Sequence, residues 1–377
     1  MEPPAEDRRI ELAREAFFAG LARQQAGDFA QAEQHYRDSL RLLPGRVSTL
    51  INLAATQLQL GRPQDALAQA TAALAAEPDS VDALLHRATA EARLGRLAEA
   101  LAGFDRLLAL APEHASAWSS HGGVLRELQR HDEAGRSFEQ ALRLGADAEL
   151  NGFYLAAVQR QRAGDVPPKP PLAYVQGLFD SYADEFDRHL VGQLGYQGHR
   201  RLIEGLVAVA PGPYDSALDL GCGTGLCGPL LRPLVRRLAG VDLSARMLDR
   251  ARALGVYDRL AQGDAALFLR SDEERHDLLV AADVFIYVGA LEPVFAAAER
   301  AMDHGVFCFS VEVIDASGDG GAGYCLRPSL RYAHSRGYLF GLAAEHGFEV
   351  VSTQSAAVRE DQQRAVPGLY VYLRRKR

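Results

Sequence analysis

Three glycines at alternate positions, Gly221, Gly223 and Gly225, follow the apolar run Ser216-Ala-Leu-Asp-Leu220, with Asp219 just ahead of them. Glycine lacks a Cβ, so such a turn doubles back tightly and lets a ligand touch the backbone. A helix starting after the turn presents unpaired N–H groups to an anion. Three further acids, Asp242, Asp264 and Asp283, each follow another short apolar run, about one strand–helix unit apart. One Asp after a strand is often only a helix cap. Four in register beside a glycine turn describe the lined edge of a pocket. An acid after a second strand suits the two hydroxyls of a ribose, because a carboxylate accepts both hydrogen bonds. An acid after a third strand suits an adenine amino group.

The elements that must position these residues alternate. Strands are expected at 216–220, 238–241, 259–262, 277–281 and 306–311, with helices between them, one starting at the N-cap Ser244. Two closing strands, 348–353 and 369–373, follow a helix over about 335–346. Alternation of this kind predicts an α/β domain with a seven-stranded, mostly parallel, Rossmann-like sheet covered on both faces. Ligands on such sheets bind at the carboxyl ends of the strands, where the four acids fall.

The first third of the chain is built differently. Gly27, Gly61 and Gly95 recur at an interval of 34 residues, as do Pro44, Pro78 and Pro112, and Ala32, Ala66, Ala100 and Ala134. Tyr36, Ala70, Phe104 and Phe138 keep the same interval, and Gln129 and Ala146 take the glycine and proline places in the fourth copy. Small alanines let two helices approach, an aromatic fills the groove between them, and proline ends the second helix. This period and pattern resemble the tetratricopeptide repeat. Four repeats span about 10–146, and a helix from Ala148 to about Arg162 is expected to cap them. The resemblance implies an all-α solenoid whose concave face binds a protein or peptide. A rigid spacer or a homodimer surface is the alternative. The chain therefore divides into a repeat domain (1–163), a linker with four prolines (164–171) and the α/β domain (172–377). The linker is expected to be extended and semi-rigid.

Composition narrows the partners. A formal net charge of −8 argues against a surface that neutralises phosphates, so no nucleic acid is expected. The basic end Arg374-Arg-Lys-Arg377 reads as a solvated terminus. The start of the chain lacks an apolar signal-peptide core, and no apolar run has the length of a membrane span, so a cytoplasmic location without a membrane is expected. Cys222, Cys227, Cys308 and Cys325 match no zinc spacing; reduced thiols and no metal are expected.

Gly223-Thr-Gly225-Leu-Cys-Gly228 satisfies GxGxxG, so a nicotinamide dehydrogenase enters the comparison. Against it, Asp219-Leu-Gly221 stands where a dinucleotide fold has an apolar strand end, and no second mononucleotide half follows. Ala217-Leu-Asp-Leu-Gly-Cys-Gly-Thr-Gly225 resembles motif I of the class I S-adenosylmethionine-dependent methyltransferases. Val241-Asp-Leu-Ser244 with Met247, and Gln262-Gly-Asp264, resemble the segments after their second and third strands. The fusion with repeats resembles a group of predicted bacterial methyltransferases, which share the lead-in Leu178-Phe-Asp-Ser-Tyr-Ala-Asp-Glu-Phe-Asp-Arg-His-Leu190 and the late segment Leu330-Arg-Tyr-Ala-His-Ser335.

The resemblance implies S-adenosylmethionine as cofactor. Asp219, Gly221, Cys222, Gly223, Thr224 and Gly225 would hold its methionine part, Asp242 with Leu243 and Met247 its ribose side, and Asp264, Ala265 and Ala282 its remaining wall. Phe179, Tyr182, Phe186 and His189 share one face of the lead-in helix: either a lid, with the Tyr182 hydroxyl near the methionine end, or a face packed on the sheet. His334, with Tyr332 and Arg331, forms a second cluster. Its histidine is either structural or a general base, and Arg331 would hold an acidic acceptor. Asp283 and Tyr287 follow the fourth strand without the Asn/Asp-Pro-Pro-Tyr pattern of planar-nitrogen methylation, which favours oxygen acceptors. The leading expectation is an O-methyltransferase whose repeats recruit a protein, peptide or carrier-bound acceptor. The alternatives are a small-molecule enzyme with dimerising repeats and an inactive scaffold.

Overall fold

The structure, a computed structural model, describes residues 5–159, 166–183, 196–314, 321–361 and 364–376. Two compact units divide near residue 159. The first is helical: α1 (Ala5–Gln25), α2 (Phe29–Leu42), α3 (Val47–Gln59), α4 (Pro63–Ala76), α5 (Val81–Arg93), α6 (Leu97–Leu110), α7 (Ala115–Glu127), α8 (His131–Arg143) and α9 (Ala148–Val158). Gly27, Gly61 and Gly95 stand at φ +77°, +70° and +73°, and an added Cβ would meet nothing within 4 Å. Backbone conformation, not space, selects glycine there. Gln129 takes the same left-handed conformation (φ 60°) in the fourth repeat, at the cost of a Cβ.

Another glycine position is selected by space. A Cβ on Gly20 would lie 2.7 Å from the Tyr36 ring, and one on Gly122 would lie 2.7 Å from the Phe138 ring. Alanines occupy the equivalent places: Ala54, in the repeat where Ala70 replaces the aromatic, and Ala88, whose Cβ would lie 3.0 Å from a Cβ added to Gly103. Glycine thus stands against the ring in the first and fourth repeats and alanine against Ala70 in the second, while the third keeps alanine beside Phe104. The alanines at 32, 66, 100 and 134 are fully buried. Glu33 accepts both Arg62 Nη1 bonds (2.9 and 2.8 Å) and one from Gln57 Nε2 (3.1 Å), tying the first repeat to the second.

In the second unit α10 (Leu172–Tyr182) and α11 (Gly198–Val209) precede β1 (Tyr214–Leu220). Then come α12 (Gly228–Leu231), β2 (Val235–Asp242), α13 (Ala245–Ala253), β3 (Arg259–Gln262), α14 (Ala265–Ser271) and β4 (Leu278–Ala281). The chain continues through α15 (Glu292–Ala301), β5 (Val306–Ile314), β6 (Tyr324–Leu326), β7 (Tyr332–Ser335), α16 (Arg336–Glu345), β8 (Phe348–Asp361) and β9 (Arg364–Arg375). The sheet order β3-β2-β1-β4-β5 is parallel, and β9 pairs antiparallel with β5 before turning back to β8.

Both faces of the sheet are buried, which explains strands that read as continuous apolar runs. Leu218, Leu220, Val241 and Leu279 pack with Phe295 of α15 and Leu342 of α16; Ala217, Leu238 and Val280 pack with Leu202 and Leu206 of α11.

The expected seven strands become nine among the described residues. The sequence reading lacks β6 and β7 because three- and four-residue strands carry too little periodicity to register. Their position matters. β4 pairs with the start of β5 and β7 with its last three residues, Glu312 to Ile314, while β9 takes the opposite edge as far as Glu312. β7 therefore continues the line of β4 past its carboxyl end.

The proline stretch is fastened to this second unit. Gly289 and Ala290 donate their N–H groups to the Pro168 carbonyl (2.9 Å each), and the Tyr332 hydroxyl donates to the Pro167 carbonyl (2.8 Å). These three hydrogen bonds tie it down.

Candidate functional site

Gly221, Gly223 and Gly225 all take left-handed φ, +64°, +54° and +91°. Their surroundings differ. A Cβ on Gly221 would lie 2.5 Å from Val284 Cγ2 and one on Gly225 2.8 Å from Leu254 Cδ1, whereas one on Gly223 would meet nothing within 4 Å. The middle of the turn faces open space. Cys222 N–H donates to Val241 C=O (3.0 Å), and Gly225 N–H closes back on Cys222 C=O (2.8 Å). Cys222 and Thr224 are both buried, and burial pushes the Cys222 thiol well up. The helix after the turn, α12, has only four residues, so the expected helix terminus contributes little beyond the turn's own amides.

Asp242 ends β2 and joins the strand to the turn. Its Oδ2 accepts from Gly223 N–H and its Oδ1 from Ser244 N–H, 2.8 Å each. Burial raises its carboxyl above the ordinary value, and the Ser244 and Gly223 amides oppose that rise. The Leu243 amide also hydrogen-bonds this carboxylate, which leaves one of its four lone pairs for a ligand hydroxyl. Leu243 C=O accepts from Gln262 Nε2 (3.0 Å), linking the ends of β2 and β3. Met247 is fully buried in α13, supporting the site from beneath. Asp264 caps α14, its Oδ1 accepting from Ala266 and Leu267 N–H at 3.0 Å, with Ala265 beside it in the first turn.

Asp219 behaves unlike the other acids. It is 1% exposed, and its Oδ2 accepts from the Tyr257 hydroxyl at 2.7 Å. Burial drives its carboxyl up to about 7, with the Tyr257 hydrogen bond opposing and Asp242 adding to the rise. A side chain covered in this way braces the turn from within.

The expected lid helix is seen as far as residue 183. Asp180 of α10 is held at the start of α13. Ser244 Oγ donates to Asp180 Oδ1 while accepting from Met247 N–H, and Arg246 Nη1 donates to Asp180 C=O at 2.9 Å. Phe179 stands edge-on to Tyr287 (5.2 Å, 81°), which brings α10 against the segment after β4. Tyr182 ends α10; its side chain, and all of Phe186 and His189, lie outside the described residues.

Past β4 the chain bends at Ala282 and Asp283. Asp283 takes φ +57°, a rare conformation for a side-chain-bearing residue. Its N–H donates to Ser310 Oγ, which donates back to its Oδ1, 2.8 Å each. The buried Tyr196 also hydrogen-bonds its carboxylate. Asp283 is thus fixed by β5 and by the segment before α11.

His334 and Tyr332 are both 0% exposed in β7. His334 Nε2 lies 3.0 Å from the carbonyls of both Val288 and Gly289, and its ring stacks on Tyr338 (6.1 Å, 11°). Burial lowers its pKa to about 4, so the ring is neutral and Nε2 carries the hydrogen. Tyr332 is spent on Pro167. Of the two readings open for this cluster, structural or catalytic, the burial of both side chains under the loop after β4 agrees with the structural one. The physical reason is the undetected strand β7: its pairing with β5 turns these side chains inward. Arg331, just before β7, is partly exposed.

Sequence reasoning missed Tyr257 and Asp180. Tyr257 sits in a loop without a pattern, and Asp180 was visible only as part of the lead-in segment. Among the described residues the metal-ligating types gather once, at Asp272, Glu274 and His276. The Arg259 guanidinium already pairs with both carboxylates, which repels a cation. No described helix is long and apolar enough to cross a membrane.

A family model described as "Methyltransferase domain" matches residues 218–309, and one described as "Tetratricopeptide repeat" matches 51–112 and 99–149. Human methyltransferase-like protein 27 is 41% identical over 95 residues, 24% of this chain and 38% of that protein. Nodulation protein S of Rhizobium tropici is 33% identical over 87 residues, 22% of this chain and 36% of the relative. The chain thus spans well under half the length of these curated relatives. Among solved structures, magnesium protoporphyrin IX methyltransferase of Synechocystis PCC 6803 with bound SAH is 18% identical, covering 54% of this chain and 99% of that one, with a TM-score of 0.42. A MamA structure is 23% identical, covering 39% and 79%, with a TM-score of 0.35.

Proposed function

On the premise that this chain joins tetratricopeptide repeats to a methyltransferase domain, we propose that it transfers a methyl group from S-adenosylmethionine to an oxygen acceptor brought by the repeats. The observation that carries the reading is the open left-handed turn at Gly223 fastened to the Asp242 carboxylate. The residues present fit that donor. Gly223 offers backbone to the methionine part, Asp242 keeps a lone pair for a ribose hydroxyl, and Asp264 with Ala265 stands at the adenine end. When bound, the donor supplies an electrophilic methyl group on a sulfonium.

The chain's own contribution is orientation, which accounts for much of the rate in a displacement of this kind. α10 is latched at Asp180 beside the donor end, and Phe179 with Tyr287 covers the step from donor to acceptor. Asp283, set in its left-handed bend, and Arg331 are the polar groups we place on the acceptor side. His334 and Tyr332 act as posts of the loop 288–292 and move no proton. An acceptor that arrives ionised, such as a carboxylate, needs no base. The concave face of the repeats recruits the protein, peptide or carrier that bears it; we place the functional boundaries at 1–163, 164–171 and 172–377.

Titration calorimetry of the full chain with S-adenosylmethionine tests the donor assignment. Micromolar binding that is lost in Asp242→Ala is expected; absence of heat with the unsubstituted chain sinks the proposal. Labelled methyl transfer to proteins retained by residues 1–159 tests recruitment, and full activity on a small acid after deletion of the repeats overturns it.

A further inference from the structure

The glycines around the turn are not alike, and one side chain, Tyr257, closes on three of them. A Cβ on Gly225 would lie 3.1 Å from Tyr257 Cε2, one on Gly228 2.7 Å from the same atom, and one on Gly240 3.1 Å from Tyr257 Cε1. These glycines belong to the turn, to α12 and to β2. Together they form a slot, and the Tyr257 ring fills it. The third glycine of the GxGxxG pattern, Gly228, is required by the close approach of the Tyr257 ring and Val256. Ring insertion places the Tyr257 hydroxyl 2.7 Å from Asp219 Oδ2, at the buried end of β1. Cys222, between Asp219 and the open Gly223, is tied by its N–H to Val241 of β2, and its Sγ would lie 3.0 Å from a Cβ on Gly240. Turn, strand ends and ring form one packed block.

From this geometry we propose that Tyr257 is a positioning residue for the methyl-donor turn: its ring holds the turn against β2 and its hydroxyl fixes Asp219. The proposal rests on the donor reading of the turn. Asp219 then serves the donor indirectly. Its carboxylate orients Tyr257, Tyr257 supports residues 222–228, and those residues present Gly223 next to Asp242. Two consequences separate this role from ordinary core packing. Removing the hydroxyl alone loosens the turn while the rest of the sheet stays as it was. The effects of changing Tyr257 and Asp219 also overlap, because each acts through the other.

The test uses the full chain, with S-adenosylhomocysteine as the binding probe. In Tyr257→Phe, amide hydrogen exchange of the ligand-free chain is expected to rise about tenfold over residues 221–228, with β4, β5, β9 and the repeats unchanged. S-adenosylhomocysteine affinity is expected to fall about tenfold in Tyr257→Phe and in Asp219→Asn, and by no more than that in the double variant. Equal exchange over 221–228 in the two proteins, or additive losses in the double variant, overturns the proposal. Absence of S-adenosylhomocysteine binding by the unsubstituted chain removes the donor reading instead, and the exchange comparison still decides whether Tyr257 holds the turn.

Discussion

The two halves of the sheet's carboxyl edge are built by different means. At the donor half, the acids after β2 and β3 take backbone amides of the glycine turn or of their own following helix as partners: Asp242 with Gly223 and Ser244, Asp264 with Ala266 and Leu267. At the acceptor half the loop after β4 closes one short turn of its own, Tyr287 N–H to Val284 C=O and Val288 N–H to Phe285 C=O, and its other supports are distant. It is held by Pro168, which lies over a hundred residues away, and by His334 and Tyr338, whose hydroxyl accepts from Leu291 N–H at 2.7 Å. A local design tolerates only its own residues; a distributed one tolerates change but depends on the whole unit being folded. Donor-half substitutions should therefore abolish a function, and acceptor-half substitutions should lower stability.

Gly221→Ala tests the first half of that statement most severely. A left-handed φ costs an alanine about 1–2 kcal/mol, and the overlap with Val284 adds about 1–3 kcal/mol. Loss of measurable S-adenosylhomocysteine binding in a chain that still folds is the expected result. A Gly221→Ala protein that binds normally shows that the turn's conformation is not what the donor needs.

The two halves also titrate in opposite directions. Burial lowers the His334 pKa to about 4, so the folded state resists protonation. That stability is present above the unfolded value near 6.5 and falls by about 3 kcal/mol as pH drops toward 4. Burial raises the Asp219 carboxyl to about 7, so the folded state resists ionisation. Its stability is present below the unfolded value near 3.8 and falls by about 4 kcal/mol as pH rises toward 7. In the unsubstituted chain the two trends oppose each other between pH 4 and 6.5. Asp219→Asn removes one of them. Exchange of β4 and β5 amides in that variant should show stability increasing with pH by about 3 kcal/mol over the window. A flat profile means that His334 does not hold the acceptor loop.

Asp242→Asn comes next in size. The asparagine keeps one acceptor but loses the charge and presents an amide to Gly223 or Ser244 N–H. Loss of one charge-assisted hydrogen bond is worth about 1.5–3 kcal/mol, so donor affinity should fall about 10- to 100-fold by calorimetry. A smaller fall transfers the weight of ribose recognition to Gln262 and Leu243.

The same contrast explains what the sequence made legible. The repeats were readable because one local pattern recurs four times, and each residue type answers a local demand: left-handed backbone at Gly27, close approach at Gly20 and Gly122. The donor half was readable because a glycine turn and strand-end acids are adjacent in the chain. Legibility failed where partners are distant. His334 and Tyr332 left a structural and a catalytic reading both open, because nothing around them announces a four-residue strand paired to Val313. Asp219 looked like one more pocket acid, because its partner Tyr257 lies in an unpatterned loop. Burial was the hidden variable in both cases, and burial is decided by elements far along the chain.

The smallest expected effect lies where the halves meet, at Asp180. Its carboxylate accepts from Ser244 Oγ, but Arg246 holds the same residue by its backbone carbonyl, and Ser244 continues to cap α13 without it. Asp180→Ala therefore removes one hydrogen bond of about 0.5–1.5 kcal/mol. It also removes a negative charge that adds to the rise of the Asp242 carboxyl. The first change loosens α10 and the second eases ionisation of Asp242, so they offset in part. S-adenosylhomocysteine affinity should fall by only about three- to tenfold, with exchange rising in α10 and unchanged in β2. If affinity falls as far as in Asp242→Ala, Asp180 is itself part of the donor site, and the boundary between the two halves moves to include α10.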